Sequence, residues 1–481
     1  MKSRPYLFKA LAVGGITLLL CAALARIGGI VDERQGRQHE AERSVETRLA
    51  GRQALLGPVL HRSCVEEWDT TVGEGKDRRV TTDKREFRLS LAPTRLHIDA
   101  SAALEPRYRG LFKVNAYATK ATLQAQWASL APLVAQREHA GSRLACGEPI
   151  LMVALNDARG IRLAQVRANG SSRPVLPGTF HGSYPRGFHS VLAGSGSLAE
   201  APAPGTALTA DLTLELVGTA ELAIAPVADT TLVQLRSDWP HPSFGGRFLP
   251  AEREVRSDGF SATWRVSSLA TTAAQDYTRG AELCAPAGNA AANPYNVERW
   301  AAAAAEAAAG QKPRGCVETL DVAFIDPVNA YSLSDRATKY GLLFIALTFA
   351  IVAMCEVLGR VKVHPIQYAL VGAALTLFFL LLLSLSEHLA FAWAYAAASA
   401  GVVALLGYYG AHVLGGWRAG GLFGGGAALL YGVLYVLLQM EQTALVMGSL
   451  LLFGVLGAVM VLTRRVDWYA LLGRDAAASG G

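Results

Sequence analysis

Between residues 341 and 462 the chain alternates long apolar runs with short polar gaps: 341–358, 366–385, 389–414, 420–438 and 443–462. At about 1.5 Å per residue, each run covers roughly the 30 Å hydrocarbon core as a helix, and lipid offers an open backbone no other hydrogen-bond partner. The pattern predicts five spans. A further run, 10–25, follows Lys2, Arg4 and Lys9. Read as a retained first span, it starts in the cytoplasm; the small-x-small triplet Ala23-Leu24-Ala25 supports the rival reading of a cleaved signal peptide. Extended to Leu7 through a snorkelling Lys9, the stretch is long for a signal sequence, and no turn-forming residue precedes Ala23, which favours retention.

The intervening residues, 31–339, hold no run long enough to span. From Asp32 to Ala54 the chain is rich in Glu, Arg, Gln and Ala, with Ala41, Val45 and Leu49 four apart and Glu33 four ahead of Arg37; this predicts a surface stalk helix ended by Gly57-Pro58. The period then becomes two. Phe112, Val114 and Ala116, then Leu123, Ala125 and Trp127, and later Phe260, Ala262, Trp264 and Val266 alternate with polar neighbours, as half-buried strands do. Residues 150–155 form a continuous apolar strand. Leu212, Leu214 and Leu216 are expected to face Leu222 and Ile224 as a hairpin across Gly218. A series of short strands suits antiparallel sandwich-like or barrel subdomains. The Gly- and Pro-rich segment 194–205 is a candidate boundary between them, and 285–315 reads as an Ala-rich insertion.

Loop charge orients the spans. Arg360 and Lys362 follow the first C-terminal run, Arg418 the third, and Arg464 and Arg465 the fifth, whereas Ser386-Glu387-His388 and Gln439-Met440-Glu441-Gln442 hold no Lys or Arg. The positive-inside rule places the first set and both termini in the cytoplasm and the 31–339 region outside it. Whole-chain figures hide this division: the mean hydropathy of +0.26 averages an apolar bundle with an ordinary globular region. The net charge of +6 is scattered, with no basic patch and interleaved aromatics to suggest nucleic acid.

Of six cysteines, Cys21 and Cys355 lie in spans, where small apolar packing is expected. Cys64, Cys146, Cys284 and Cys316 lie in a compartment that permits disulfides. Four cysteines allow three connectivities; sequence neighbours pair most simply as Cys64 with Cys146 and Cys284 with Cys316. No C-x-x-C and no histidine at ligand spacing point to a metal.

Other chemistry is sparse. His39-Glu40 begins H-E-x-x-H, but position 43 is Arg. Gly194-Ser195-Gly196-Ser197 lacks the strand and helix of a nucleophile elbow, and no serine stands in a convincing S-x-x-K setting. Gly420 to Gly424 and Gly421 to Gly425, without a following Lys-Ser/Thr, suit close helix packing in lipid rather than phosphate binding. Glu387 and His388, with Gln439 and Glu441, occupy turns on the same side and can converge at one end of the bundle; turn residues also reach water easily, so solvated caps are the competing reading. Glu356 is placed to pair with Arg360 or Lys362, and none of the five C-terminal spans carries a charge near its middle, which argues against an ion-coupled transporter.

Several long motifs resemble the CreD family of inner-membrane, cell-envelope integrity proteins: Glu33-Arg34-Gln35, Pro242-Ser243-Phe244-Gly245-Gly246, Ser334-Asp335-Arg336-Ala337-Thr338-Lys339-Tyr340-Gly341, His364-Pro365-Ile366-Gln367-Tyr368, Ser386-Glu387-His388, Gln439-x-Glu441 and Arg465-Val466-Asp467-Trp468-Tyr469. The resemblance covers nearly the whole chain. It implies a Gram-negative inner-membrane protein with a large periplasmic domain, an output of a CreBC-type two-component system, whose loss or excess alters envelope integrity, colicin tolerance and β-lactam response. The family has no assigned catalytic residues to carry over. Its most specific part marks His364, Gln367, Glu387, His388, Gln439, Glu441, Asp467 and Trp468 as candidate functional polar residues.

The expected organisation is an α-helical membrane bundle of six spans with a mainly-β periplasmic domain: tip and first span at 1–30, stalk at 31–57, β-rich subdomains at 58–195 and 196–339, five-helix bundle at 340–465, tail at 466–481. The expected function is non-enzymatic, with no cofactor and no metal. Expected partners are the bilayer and a periplasmic or peptidoglycan-associated component. A transporter or lipid-handling protein is the second reading and a wall-acting enzyme the third.

Overall fold

A computed structural model describes residues 4–72, 79–192, 207–286, 315–324, 326, 329–359, 363–413, 416–440 and 444–464. The boundary expected at 194–205, nearly all of the Ala-rich insertion, Arg360, Lys362, Glu441, Asp467 and Trp468 lie outside them. The chain forms two compact units, Met1–His39 with Val328–Gly481, and Glu40–Pro327. The α-helices among the described residues are α1 (Arg4–Arg48), α2 (Ala273–Arg279), α3 (Ala330–Lys339), α4 (Gly341–Gly359), α5 (Pro365–Ser386), α6 (Phe391–Val413), α7 (Trp417–Gln439) and α8 (Ala444–Thr463).

In the helical unit, Phe8–Arg48, α5, α6 and α7 are each long and apolar enough to cross a membrane. A fifth crossing results if α3 and the Gly341–Met354 part of α4, bent by 44° where they meet, act as one span. The bundle core draws on Leu20, Leu24 and Ile27 of α1 together with Phe344, Phe378, Tyr395 and Tyr431, so the N-terminal helix is a packed member of it. Close approach occurs where small residues meet. A Cβ on Gly420 would fall 2.5 Å from the Cα of Ala411, and one on Gly424 3.1 Å from the Cα of Gly407, whereas Gly421 and Gly425 face open space. Only the first of the two glycine pairs is a packing seam.

The other unit contains two mixed sheets. The nine-stranded sheet runs in the order Leu176–Pro177, Gly187–Val191, Ile150–Leu155, Gln53–Val72, Glu221–Ile224, Leu320–Phe324, Pro242–Gly246, with Arg79–Leu91 and Arg143–Cys146 also paired to Gln53–Val72. The eight-stranded sheet runs Ser171–Arg173, Ile161–Ala168, Leu208–Thr219, Ala116–Trp127, Arg95–Leu104, Thr230–Ser237, Gly259–Ser267, Glu252–Arg256. The alternations read at 122–127 and 260–266 are both seen, with Leu123, Ala125, Trp127, Ala262 and Trp264 buried, whereas the one read at 112–117 is split between the strands Phe112–Val114 and Ala116–Trp127, with Tyr117 buried beside Ala116.

Three sequence expectations change. The helix expected over 32–54 stops at Arg48 and a strand begins at Gln53, because residues 53–60 are buried throughout, which a solvated stalk is not. Gly57-Pro58, a cis peptide, lies inside that strand, where the register to Ile150–Leu155 shifts. The hairpin expected across Gly218 is absent: Leu208–Thr219 and Glu221–Ile224 belong to different sheets, and the chain turns between them at Ala220, φ 59. Glu221–Ile224 instead lies parallel to the start of Gln53–Val72. Finally, strands from both sides of residue 195 share each sheet, and one core joins Leu56, Leu60 and Leu151 to Ile98, Leu212 and Trp264. Apolar faces contributed from both halves bury each other, so this is one unit rather than separate subdomains.

Candidate functional site: polar clusters of the bundle and of the β unit

His364 and Gln367 act together at the start of α5. The His364 Nδ1 accepts from the Ile366 amide at 3.3 Å, and the His364 amide donates to Gln367 Oε1 at 2.8 Å, with Pro365 at the first helical position. This reciprocal cap satisfies donors that a helix start leaves open.

Glu387, at the other end of α5, is not a solvated cap. Its side chain is 10% exposed and forms an ion pair with Arg34 of α1, Nε to Oε1 at 3.3 Å. Nearby, Asn329 Nδ2 donates to Gln38 Oε1 at 3.2 Å, and Tyr331 shares the electrostatic surroundings of Glu387 and Arg34. His388 and Gln439 are exposed. With Glu441 outside the described residues, the structure joins only one of these turn residues to a partner, and that partner comes from the N-terminal helix.

A second cluster occupies the opposite end of α1. Glu356 pairs with Lys9 and accepts from the Tyr368 hydroxyl at 3.2 Å, while the Lys9 ammonium lies 5.7 Å from the Tyr368 ring centroid. The partners expected for Glu356, Arg360 and Lys362, lie outside the described residues; the partner the structure shows is Lys9. From position 9 to position 34 the helix advances about 37 Å, beyond the roughly 30 Å hydrocarbon core and within the 40–45 Å that includes headgroups. The signal missed in the sequence was correspondence: basic residues flanking the first apolar run match acids at the ends of later ones.

Arg34→Ala leaves the Glu387 carboxylate shielded and unpaired, so a loss of about 2 kcal/mol is expected, with Arg34→Ala/Glu387→Ala closer to wild type than Arg34→Ala alone. Thermal unfolding in detergent measures this; a single variant indistinguishable from wild type would remove the clamp from the account.

The β unit holds two buried polar clusters that no motif announced. Glu66 has no exposed side chain and accepts from the amides of Glu138 and His139 at 2.9 and 3.0 Å and from Ser142 Oγ at 2.6 Å, with Arg85 at 3.3 Å. The Ser142 hydroxyl above all, then the His139 amide, holds its carboxyl below the usual range. Trp68 stacks on His139 at 3.7 Å.

The second cluster is aromatic. His61 Nε2 donates to the Thr179 carbonyl at 2.8 Å and His189 Nδ1 to the Gly178 carbonyl at 2.7 Å, since a carbonyl only accepts. His181 Nδ1 accepts from the Ser183 amide at 3.2 Å, and its ring lies 5.3 Å from that of His61, among Tyr184 and Tyr277. Burial, with the Arg88 charge nearby, pushes His181 down to about 3 and His61 below its ordinary value. His61 and His181 are neutral rings, and all three histidines are buried in the core. Among the described residues no group of three or more His, Cys, Asp or Glu can hold a metal ion.

Two disulfides are present. Cys64 and Cys146 sit opposite each other on neighbouring strands, and Cys284 is joined to Cys316.

Comparison with known proteins places these features. The likeness to solved structures is slight: an M1 zinc metallopeptidase from Deinococcus radiodurans is 12% identical, covering 36% of this chain and 38% of that one, with a TM-score of 0.20 as a mutant bound to a Tyr-Ser-Ala substrate and 0.19 in a second structure. Scores this low carry no argument about fold or chemistry. The Escherichia coli (strain K12) inner membrane protein CreD is 32% identical over 471 residues, 98% of this chain and 95% of that protein. The family model described as inner membrane protein CreD matches residues 5–469. The sequence motifs, the packed N-terminal helix and these matches agree: the chain belongs to the CreD family of inner membrane proteins.

Proposed function

We propose that this chain is a six-span inner-membrane protein with both termini in the cytoplasm and one large sandwich-like domain in the periplasm. It maintains envelope integrity as an output of a CreBC-type two-component response, and it acts by binding a periplasmic or peptidoglycan-associated partner rather than by catalysis. The placement of Arg360, Lys362, Arg418, Arg464 and Arg465 in alternate gaps carries the orientation. The binding role is supported by what the polar groups of the β unit do. Glu66 Oε1 is held by three donors from one loop, His61 Nε2 and His189 Nδ1 donate to backbone carbonyls, and Asp157 Oδ2 is held by Arg159 at 2.6 Å and by the Gly51 amide at 3.0 Å. Contacts of this kind tie the strands and loops of the unit together.

Alkaline phosphatase fused at residue 200 is expected to be active and at residue 470 inactive; the reverse pattern sinks the orientation. Photo-crosslinkers on the β unit in intact cells are expected to capture an envelope component, and capture no different from that by an unrelated tethered domain removes the binding role.

One observation favours the lipid-handling reading, an apolar cavity lined by Val352, Val363, Val371, Gly410 and Phe423. Its volume, about 30 Å³, is that of a small hollow, far short of enclosing a whole acyl chain. Unchanged envelope phenotypes on alanine replacement of Glu387, His388 and Glu441, at normal protein levels, would remove the lipid-handling reading.

A further inference from the structure

One exposed element of the β unit serves neither its core nor the clusters above. Between Arg95–Leu104 and Ala116–Trp127 the chain forms a separate two-stranded hairpin, Arg107–Arg109 paired with Phe112–Val114. Gly110 turns it, at φ 61, a conformation glycine adopts without strain. Tyr108 is 68% and Leu111 56% exposed. Around them stand Arg107, Arg109 and Lys113. A lone two-stranded hairpin is marginal in water, and one that presents apolar side chains with cations calls for a surface to rest on.

Its location identifies that surface. At the hairpin root, the Glu105 amide donates to the Ala116 carbonyl at 2.8 Å and Asn115 Nδ2 to the Phe324 carbonyl at 3.0 Å. Lys113 Nζ lies 3.4 Å from Asp326 Oδ2 and 5.1 Å from the Trp239 ring centroid. The segment leaving α1 reaches the same end: the Thr219 amide donates to the Gly51 carbonyl at 3.2 Å, and Thr219 pairs in register with Ala116. Both chain connections to the membrane helices and the hairpin thus share the end of the eight-stranded sheet marked by Leu104, Ala116 and Thr219. Asp326 precedes Tyr331 of α3 by five residues, at most about 17 Å of extended chain.

We propose that this hairpin is a membrane-surface anchor: Tyr108 and Leu111 enter the interfacial layer, and Arg107, Arg109 and Lys113 face anionic phospholipid headgroups. Tyrosine is suited to the interface because its ring is apolar and its hydroxyl wet. Basic residues near anionic lipid are attracted over about a Debye length, which suits a hairpin on so short a tether. Arg107 shares its charge with Glu105 at 2.7 Å and Lys113 with Asp326, whereas Arg109 makes no ion pair among the described residues.

The fold supplies the control. Leu269 is 97% exposed just beyond Ser267, which pairs with Thr230, which pairs with Arg95. That is the opposite end of the sheet, roughly 30 Å from Leu104 at the rise of a strand. The full chain is reconstituted in nanodiscs containing phosphatidylglycerol, with an environment-sensitive fluorophore on Leu111→Cys or Leu269→Cys and the parent chain treated identically as background. The expected result is blue-shifted emission at position 111, quenched several-fold more than at position 269 by lipids carrying a nitroxide near the headgroup, with Arg109→Glu reducing that quenching. Water-like emission at both positions, with circular dichroism and both disulfides intact, overturns the proposal. So does blue-shifted emission at 111 without lipid quenching, which assigns the hairpin to a protein contact.

Discussion

Replacing Cys64 and Cys146 together by alanine is expected to lower the stability of the Glu40–Pro327 unit by about 3–4 kcal/mol. The bridge spans a sequence separation of 82, so its removal frees a long loop in the unfolded chain. The folded form should change little. Arg143–Cys146 stays paired to Gln53–Val72, and Glu66, two residues beyond Cys64, still binds the loop carrying Glu138, His139 and Ser142. The Cys284–Cys316 bridge, with a separation of 32, is expected to contribute about 1 kcal/mol less, since loop entropy grows only as the logarithm of length. Denaturant unfolding followed by tryptophan fluorescence, without and with reductant, checks both. A change below about 0.5 kcal/mol on losing the first bridge contradicts the unfolded-state account.

Acid is expected to unfold the same unit in two stages. His61 and His181 are held neutral by burial, with Arg88 and His189 facing them, so their folded pKa values lie below the unfolded value near 6.5. The unfolded chain therefore binds more protons as pH falls. Stability is intact above pH 6.5 and declines below it, and for His181 the decline runs toward pH 3, by about 1 kcal/mol per pH unit after allowance for solvent screening. The second stage begins below about pH 4.5. There Glu66, Asp69 and Asp157, all depressed by hydrogen bonds in the folded state and Asp157 to about 2, lose stability that is present at higher pH. Asp321 and Glu46, raised by burial, work in the opposite sense in the carboxyl range. His181→Gln should flatten the curve between pH 6.5 and 4.5 while leaving the lower stage in place. A melting temperature independent of pH across the upper window in the wild-type chain contradicts the assignment.

The parts legible from the chain are those governed by neighbours in sequence. Alternation at 122–127 and 260–266 reports a half-buried strand because successive side chains point to opposite faces, whichever strand lies alongside. Runs of apolar residues report spans because the bilayer acts on each helix separately. The same local view misplaced Gln53, whose burial comes from distant strands and from hydrogen bonds to the carbonyls of Asp157 and Val217. It also joined Leu216 to Leu222 across Gly218, because period-two patterning does not say which sheet a strand enters.

The candidate site divides in the same way. His364 and Gln367 form a cap within four residues, a relation local enough to be spaced out in the chain. Glu387 stood out by its place in a turn, yet Arg34, the residue that makes it a clamp, belongs to another helix. Lys9 and Glu356 are 347 positions apart, and His61, His181 and His189 meet only when the strands carrying His61 and His189 pair with Ile150–Leu155 on either side. Hydropathy period and loop charge are summed over adjacent residues, so they mark membrane spans and predict an orientation before any fold is known, while the likeness to CreD proteins rests on local residue motifs. Charge pairing and histidine desolvation depend on separations of a few ångströms between distant segments, and only the packed chain sets those.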